Sequence, residues 1–164
     1  MPIRKQFEVM LPDAPGELAK FTETLLREHI NIEAMSIQDA NEYLTALYDV
    51  RSRTGHRVAP KEYYDTILTE SAKYSLIRMI TDNPDKAVEV LKKTGYQAKI
   101  QEVIGMVLDN RPGILNRVSK KFGDAGINIS YTYGSGFADS DNALFIFKVS
   151  DMEKALEVFP DGNP

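Results

Sequence analysis

The chain has 164 residues, which is the length of one ordinary domain or of two small ones. It contains no cysteine, which excludes disulfides, thiolate nucleophiles and cysteine-based zinc sites, and its two histidines are too few for a polyhistidine metal site. The formal net charge of −4 argues against general nucleic-acid binding, because that binding needs a cationic face.

Hydropathy gives no sign of a membrane partner. No apolar run approaches the roughly 18–20 residues of a membrane span, and the N-terminus lacks the apolar core of a signal peptide. We therefore expect a cytoplasmic protein. We also expect neither a cofactor nor a metal, since no residue pattern indicates one.

The first two thirds of the chain predict six elements in the order β-α-β-β-α-β. Alternating Phe7, Val9 and Leu11 indicate the first strand, and Asn83-Pro84 is typical of a helix start. The predicted elements are a strand around 7–11, a helix over 16–28, a strand from 30, a strand over 75–80, a helix from 82 and a strand over 96–101.

The rest of the chain follows the same order but ends early. Ser150 and Glu153 have the spacing of a capping box at the start of the last helix. No sequence remains after that helix for a fourth strand. The predicted elements are strands over 102–108, 127–133 and 143–149, a helix over 113–124 and a helix opening at 150.

Two segments of the sequence match without gaps and identify an internal duplication. The first is Asp13-Ala14-Pro15-Gly16-Glu17-Leu18, followed by Ile30-Asn31-Ile32. The second is Asn110-Arg111-Pro112-Gly113-Ile114-Leu115, followed by Ile127-Asn128-Ile129. A constant offset of 97 residues relates them. The sequence therefore predicts two domains, 1–101 and 102–164, of which the second is truncated.

Right-handed β-α-β crossovers predict the fold of each copy. The class is α+β: two ferredoxin-like antiparallel sheets, each with its third strand between the first two and its helices on one face. The first copy carries about 29 extra residues within 41–73. Pro60 and the apolar residues at 63, 64, 67 and 68 predict a helix in this insertion, after a loop over 52–59.

The repeated turn has a definite chemical capability. A helix that begins after Pro-Gly presents unpaired N–H groups and a partial positive charge, which suit a carboxylate or phosphate. Asn31 and Asn128 begin the second strand of each copy, at the opposite end of its sheet from the turn. If the second strands pair antiparallel, each turn approaches the asparagine of the other copy. Such a pocket suits an α-amino acid.

The segments Asn110-Arg111-Pro112-Gly113-Ile114-Leu115 and Gly126-Ile127-Asn128-Ile129 resemble the ACT domain, and the whole chain apart from the insertion resembles stand-alone proteins with two tandem ACT domains. ACT domains generally sense amino acids or other small metabolites. The resemblance to serine-sensing ACT domains implies ligand contacts at Asn110 and Asn128, with Asn31 equivalent to Asn128. Asp13 and Ala14 depart from the pattern, so the first site is altered, selective for another group, or empty.

We expect a non-catalytic, amino-acid-binding regulatory protein whose ligand lies between ACT-like domains. The alternatives are a regulatory subunit or interaction module of an amino-acid biosynthetic enzyme, and an enzyme that uses the insertion as a lid. The predicted ligand-binding residues are Asp13, Ala14, Gly16, Glu17, Leu18, Asn31, Asn110, Arg111, Pro112, Gly113, Ile114, Leu115 and Asn128.

Two further expectations concern neighbouring surfaces. The insertion leaves the first copy at the end where the turn lies, so it is expected to cover part of site one. The missing fourth strand exposes the 102–108 edge, which favours a homodimer that covers this edge with a second chain.

Several other residues have ordinary structural interpretations. His29 is expected to end a helix, and His56 lies in a predicted basic loop with Arg51, Arg53 and Arg57. Tyr131 and Tyr133 share one strand face, where pairing across the sheet is the simplest expectation, although Tyr133 is also a candidate pocket residue.

Overall fold

The computed structural model describes residues 2–53, 61–136 and 141–162, and within them the fold is one antiparallel sheet with six helices. The strand order is β2-β3-β1-β4-β6-β5. The strands are β1 (Ile3–Pro12), β2 (Ile32–Asp39), β3 (Tyr74–Thr81), β4 (Ala98–Asp109), β5 (Ile129–Ser135) and β6 (Asn142–Val149). The helices are α1 (Glu17–Leu26), α2 (Ala40–Arg53), α3 (Lys61–Ser71), α4 (Pro84–Lys93), α5 (Ile114–Asp124) and α6 (Met152–Val158).

The predicted α+β class and topology are confirmed. Strand β3 lies between β1 and β2, and β6 lies between β4 and β5, so both copies place their third strand as the crossover rule requires. Each predicted helix and strand is present. The predicted strands over 96–101 and 102–108, however, are a single element.

Strand β4 belongs to both copies. It pairs with β1 through 98–104 and with β6 through 104–109, so the sheet runs without a break from one copy into the other. No glycine or proline interrupts the segment 98–104, and this absence of a turn signal is consistent with one continuous strand. The domain boundary predicted between 101 and 102 falls inside β4, and the division into 1–101 and 102–164 stays a prediction.

The first part of the edge predicted to be open in the second copy is covered within the chain. Residues Ile3–Lys5 of β1 pair with Glu102–Ile104 of β4, and the Gly105 N–H donates to the Pro2 carbonyl oxygen at 2.7 Å. The N-terminal end of β1 thus takes the place of the missing fourth strand. The expectation that a second chain must cover this part of the edge is wrong.

Four helices pack on one face of the sheet, as predicted. Phe7 of β1 packs with α1 and α4, while Ile104 of β4 packs with α5 and α6. Because Phe7 pairs with Ile100, and Ile100 and Ile104 point to the same side of β4, the two cores lie on the same face. The fully buried aromatic residues of these cores are Phe7, Phe21, Phe122, Phe147 and Phe159.

The face of the sheet opposite these four helices also holds a buried cluster. The terminal strands β2 and β5 approach each other across it, and Ala34, Ile80, Val103 and Ile146 form a third buried cluster there. Both strands have a register shift at equivalent positions, between Ile32 and Ala34 and between 129 and 131. Such bulges bend a strand and change the face to which the following side chains point.

A polar seam joins the two copies across this face. Gln6 of β1 is 0% exposed; its Nε2 donates to Tyr131 Oη at 2.6 Å, and Tyr133 Oη donates to its Oε1 at 2.9 Å. The Arg78 guanidinium lies 4.3 Å from the centre of the Tyr131 ring and donates from Nε to Glu8 Oε1 at 3.0 Å. The two tyrosines therefore bond to β1, and Gln6 satisfies both hydroxyls away from water.

The insertion forms two helices that pack against each other, α2 and α3. The predicted helix after Pro60 is confirmed over Lys61–Ser71. Helix α2 was not predicted, and residues 52–53, expected in a loop, are its last two residues. Residues 54–60, including His56 and Arg57, lie outside the described part of the chain, as do the side chains of Tyr63 and Tyr64.

The helix ends show how closely the copies correspond. His29 has φ 55°, and its counterpart Gly126 has φ 69°. Their N–H groups donate to Leu26 and Gly123 respectively, which confirms that His29 ends a helix. The predicted capping box at α6 is wrong: Asp151, not Ser150, accepts the Lys154 N–H at 3.0 Å.

Replacing His29 with glycine should stabilise the protein by about 1 kcal/mol, because an L side chain is strained at positive φ. Gly126→Ala should destabilise it by about 1–2 kcal/mol for the same reason. A Cβ at Gly126 would meet only the Lys154 Nζ, at 3.9 Å. A loss of stability in Gly126→Ala would therefore come from backbone strain and not from a steric clash. Urea unfolding of both variants measures the two changes; effects of equal sign would contradict this account.

The seam should also make the protein less stable at alkaline pH. Burial raises the pKa of the Tyr133 hydroxyl, and burial likewise raises the pKa of Tyr131. The folded state therefore holds these protons more tightly than the unfolded chain, so this stabilisation is complete below the ordinary tyrosine pKa of about 10 and is lost as the pH rises above it.

Tyr133→Phe should flatten the loss of unfolding free energy between roughly pH 9.5 and 11.5, although it lowers stability at pH 7 by about 1 kcal/mol through the lost hydrogen bond. Tyr74→Phe, at an exposed position, serves as the control and should leave the profile unchanged. Superimposable profiles for the wild type and Tyr133→Phe would show that the seam does not titrate.

Candidate functional site

The two Pro-Gly turns have the same backbone conformation. Gly16 has φ +87° and Gly113 has φ +90°, which are values that L side chains rarely adopt. A Cβ built at either position meets nothing within 4 Å. Glycine is therefore required by the turn itself, and the space beside the turn is open.

Helices α1 and α5 begin at these glycines without a side-chain cap. Helices α4 and α6, by contrast, are capped by Asn83 and Asp151, whose side chains accept a first-turn N–H. A glycine has no side chain to do this, so the first-turn N–H groups at 115 and 116 have no acceptor from a cap. Among these four helices, α1 and α5, which follow the repeated motif, are therefore the two that begin without a side-chain cap.

A cleft of about 310 Å³ lies at the start of α5 in the second copy. The predicted residues that the structure brings together here are Arg111, Pro112, Gly113 and Ile114; the cleft is completed by Asp109 and Arg117. Both of these were missed from the sequence. The signal for Arg117 is its position four residues after Gly113, one helical turn along α5.

The charges in this cleft are only loosely paired. Asp109 Oδ2 lies 3.9 Å from Arg111 Nε, and both side chains are exposed, so this ion pair contributes little to stability. Asn110 is exposed between the lining residues Asp109 and Arg111 but does not itself line the cleft, and its backbone N–H donates to the Asp141 carbonyl oxygen at 2.8 Å. Leu115 is exposed on the first turn of α5. The guanidinium groups are accessible to an anion.

The equivalent cleft of the first copy is smaller, about 120 Å³. Asp13 Oδ1 accepts a hydrogen bond from Ser75 Oγ at 3.2 Å, and Glu17 bonds to Lys20, a contact that raises the pKa of that lysine. Its lining residues are Leu11, Pro12, Asp13, Ala14, Leu18, Ile37, Ser75 and Ile77. Asp13 is also joined to the end of the insertion, since its N–H donates to the Lys73 carbonyl oxygen at 2.8 Å.

The two turns therefore differ in charge rather than in backbone. Asp13 and Glu17 occupy the positions of Asn110 and Ile114, and Ala14 occupies the position of Arg111. Counting Lys20 with the first turn, and Asp109 and Arg117 with the second, gives formal charges of −1 and +1. A carboxylate is repelled at the first turn and attracted at the second.

Asn31 and Asn128 occupy equivalent, exposed positions at the starts of β2 and β5. The Asn31 N–H donates to Asp82 Oδ1 at 3.1 Å, and the Asn128 N–H donates to Ser150 Oγ at 3.0 Å. Neither asparagine lines the two clefts described above. Strand directions put Asn128 at the same end of the sheet as the first turn, and a joint site there stays a prediction.

Within residues 2–53, 61–136 and 141–162, no group of three or more acidic or histidine side chains is arranged to hold a metal ion. No helix in the same residues has the length and apolar character needed to cross a membrane.

Comparison with known proteins identifies the family. The sequence pattern of the ACT domain pair matches residues 57–162. A comparison with curated proteins finds no match.

Solved structures share this architecture. Protein BT0572 from Bacteroides thetaiotaomicron is 26% identical, with a TM-score of 0.71 over 98% of this chain and 88% of that one. The regulatory subunit of aspartate kinase from Thermus thermophilus is 16% identical, with a TM-score of 0.54 over 97% and 92%. That from Thermus flavus is 15% identical, with a TM-score of 0.53 over 96% and 90%. The likeness to the two regulatory subunits is one of fold.

The sequence pattern covers more than half of the chain, and it ends with the copy that carries the Asn110 to Leu115 motif. The shared fold of the solved structures agrees with it. This chain belongs to the family of ACT domain pairs.

Proposed function

We propose that this protein is a non-catalytic, cytoplasmic regulatory protein that binds an amino acid at the start of α5. The observation that carries the proposal is the uncapped helix start in a cleft with two accessible guanidinium groups, Arg111 and Arg117. Backbone N–H groups, the helix dipole and arginine together form a favourable environment for a carboxylate.

The same cleft supplies partners for both ends of an amino acid. The ligand carboxylate accepts from the N–H groups at 115 and 116 and from the Arg117 guanidinium. Asp109 offers a carboxylate to the ligand ammonium, and exposed Asn110 lies next to it in the chain. We place Asn31 and Asn128 at the far side of such sites, contributed by the other copy or by a second chain.

We propose that the first turn does not bind the same ligand. Its two carboxylates, Asp13 and Glu17, oppose a third carboxylate, and Glu17 already occupies the first turn of α1. The cleft there is also less than half the volume of its counterpart. The chain then has one site for this amino acid, at the start of α5.

The proposed regulation depends on the position of the cleft at the end of β4. Strand β4 ends at Asp109, so a ligand at the start of α5 acts on the strand that both copies share. A ligand shifts a conformational equilibrium only by its difference in affinity for the two states. We propose that binding favours one packing of the two copies, and that this packing is what an effector partner recognises.

A second candidate function is that of a regulatory subunit that binds a biosynthetic enzyme. The observation that favours it is the α2–α3 hairpin, whose described side chains contribute nothing to the three buried clusters. A stable complex with an enzyme in the absence of any metabolite would support this alternative.

Thermal unfolding in the presence of each of the twenty amino acids tests the proposal. At a concentration of one hundred times its dissociation constant, the true ligand stabilises the folded state by about 2.7 kcal/mol, which is a rise of roughly 5–10 °C in Tm for a chain of this size. A panel in which no amino acid raises Tm would contradict amino-acid binding.

Matched variants locate the site. Arg117→Ala and Asn110→Ala should each remove most of the ligand-induced rise in Tm, because the first takes away a guanidinium from the cleft and the second an amide beside it in the chain. Lys20→Ala, the equivalent of Arg117 in the first copy, should leave the rise unchanged. A rise that survives Arg117→Ala but is lost in Lys20→Ala would move the site to the first turn.

A further inference from the structure

Helix α2 carries a stripe of exposed apolar side chains. Tyr43, Leu47 and Val50 are 54%, 40% and 61% exposed. Their spacing of four and then three residues puts them on one face of the helix. Isolated apolar residues on a surface are ordinary, but a continuous stripe of this kind marks an interaction site.

Helix α3 packs against a different face of α2. The groove between the two helices is lined from α2 by Asn41 and Thr45 and from α3 by residues that include Asp65 and Leu68. Leu44 and Tyr48 are half-buried on the α3 side. The stripe therefore lies on a different face of α2 from the one that lines this groove.

Two of the charges beside the stripe, one at each end of α2, are placed to pair with an antiparallel partner helix of the same sequence. Glu42 lies in the first turn of α2 and Arg53 in the last. Eleven residues separate them, which is about three helical turns, so both lie on the same flank of the stripe. Leu47 lies midway between them.

We propose that a second copy of this chain covers the stripe, with the two α2 helices antiparallel about a two-fold axis near Leu47. In this arrangement Glu42 of each chain faces Arg53 of the partner subunit, and the pair occurs twice. A parallel two-fold arrangement would instead place the Glu42 flanks of the two helices on opposite sides of the interface, where this pair does not form. The proposal is independent of ligand binding at α5.

Molar mass in solution tests the proposal directly. Light scattering on a size-exclusion column should give twice the 18.5 kDa mass of the chain, and Leu47→Glu should return it to the monomer mass. Leu26→Glu is the control, since Leu26 is 68% exposed on α1 and lies outside the stripe, and it should remain dimeric. A wild-type protein that is monomeric up to about 0.5 mM would overturn the proposal.

Charge reversal tests the antiparallel arrangement. Glu42→Arg and Arg53→Glu should each weaken the dimer about tenfold, because each variant places two like-charge pairs on the flanks. The double variant restores opposite charges and should recover most of the affinity. A double variant as weak as the single variants would contradict the antiparallel geometry.

A thiol introduced at the axis provides a second, independent measurement. The chain has no cysteine, so Leu47→Cys carries a single thiol. Two such thiols on opposite sides of a two-fold axis between packed helices come within disulfide reach, and mild oxidation should give a covalent dimer. Leu26→Cys should stay uncrosslinked at the same concentration. Equal crosslinking of both variants, or of neither, would exclude the axis at Leu47.

Discussion

The structure depends on one strand that both copies share within a single sheet. Strand β4 pairs with β1 through its first half and with β6 through its second half, so the copies cannot separate without breaking backbone hydrogen bonds. Two small ferredoxin-like units of this size are each marginal alone, and sharing a strand lets both cores form on one continuous sheet. The hydrogen bonds between buried Gln6 and the tyrosines of β5 then hold the two copies together on the face opposite their helical cores.

The duplication preserved the backbone of the turn while its chemistry diverged. Both turns need glycine at positive φ, and both open a helix without a side-chain cap. The second turn places arginines where the first has alanine and lysine, and the first has carboxylates where the second has Asn110 and Ile114. An internal comparison of this kind separates what the fold requires from what a ligand requires, because the fold constrains both copies equally.

Much of the fold could be predicted from the sequence because the same local signals recur 97 residues apart. The merging of two predicted strands into β4 was missed although the segment 98–104 has no turn residue, and α2 was missed although Tyr43, Leu47 and Val50 have helical spacing. The cap of α6 was misassigned because Ser150 and Asp151 are both good capping residues, and only the backbone geometry distinguishes them. Arg117 was not predicted as a site residue, because it reaches the cleft only through the three-dimensional course of α5.

The pairing of β1 with β4 has a consequence for how the chain folds during synthesis. Ile3 is synthesised about a hundred residues before its partner Ile104. Strand β1 also pairs on its other side with β3, which is likewise synthesised later. Contacts between residues so distant in sequence carry a large loop-closure entropy and slow the search for the native state. The first copy therefore remains incomplete, with an unpaired strand edge, until synthesis has passed into the second. The nascent chain therefore exposes an open strand edge of the kind that favours aggregation.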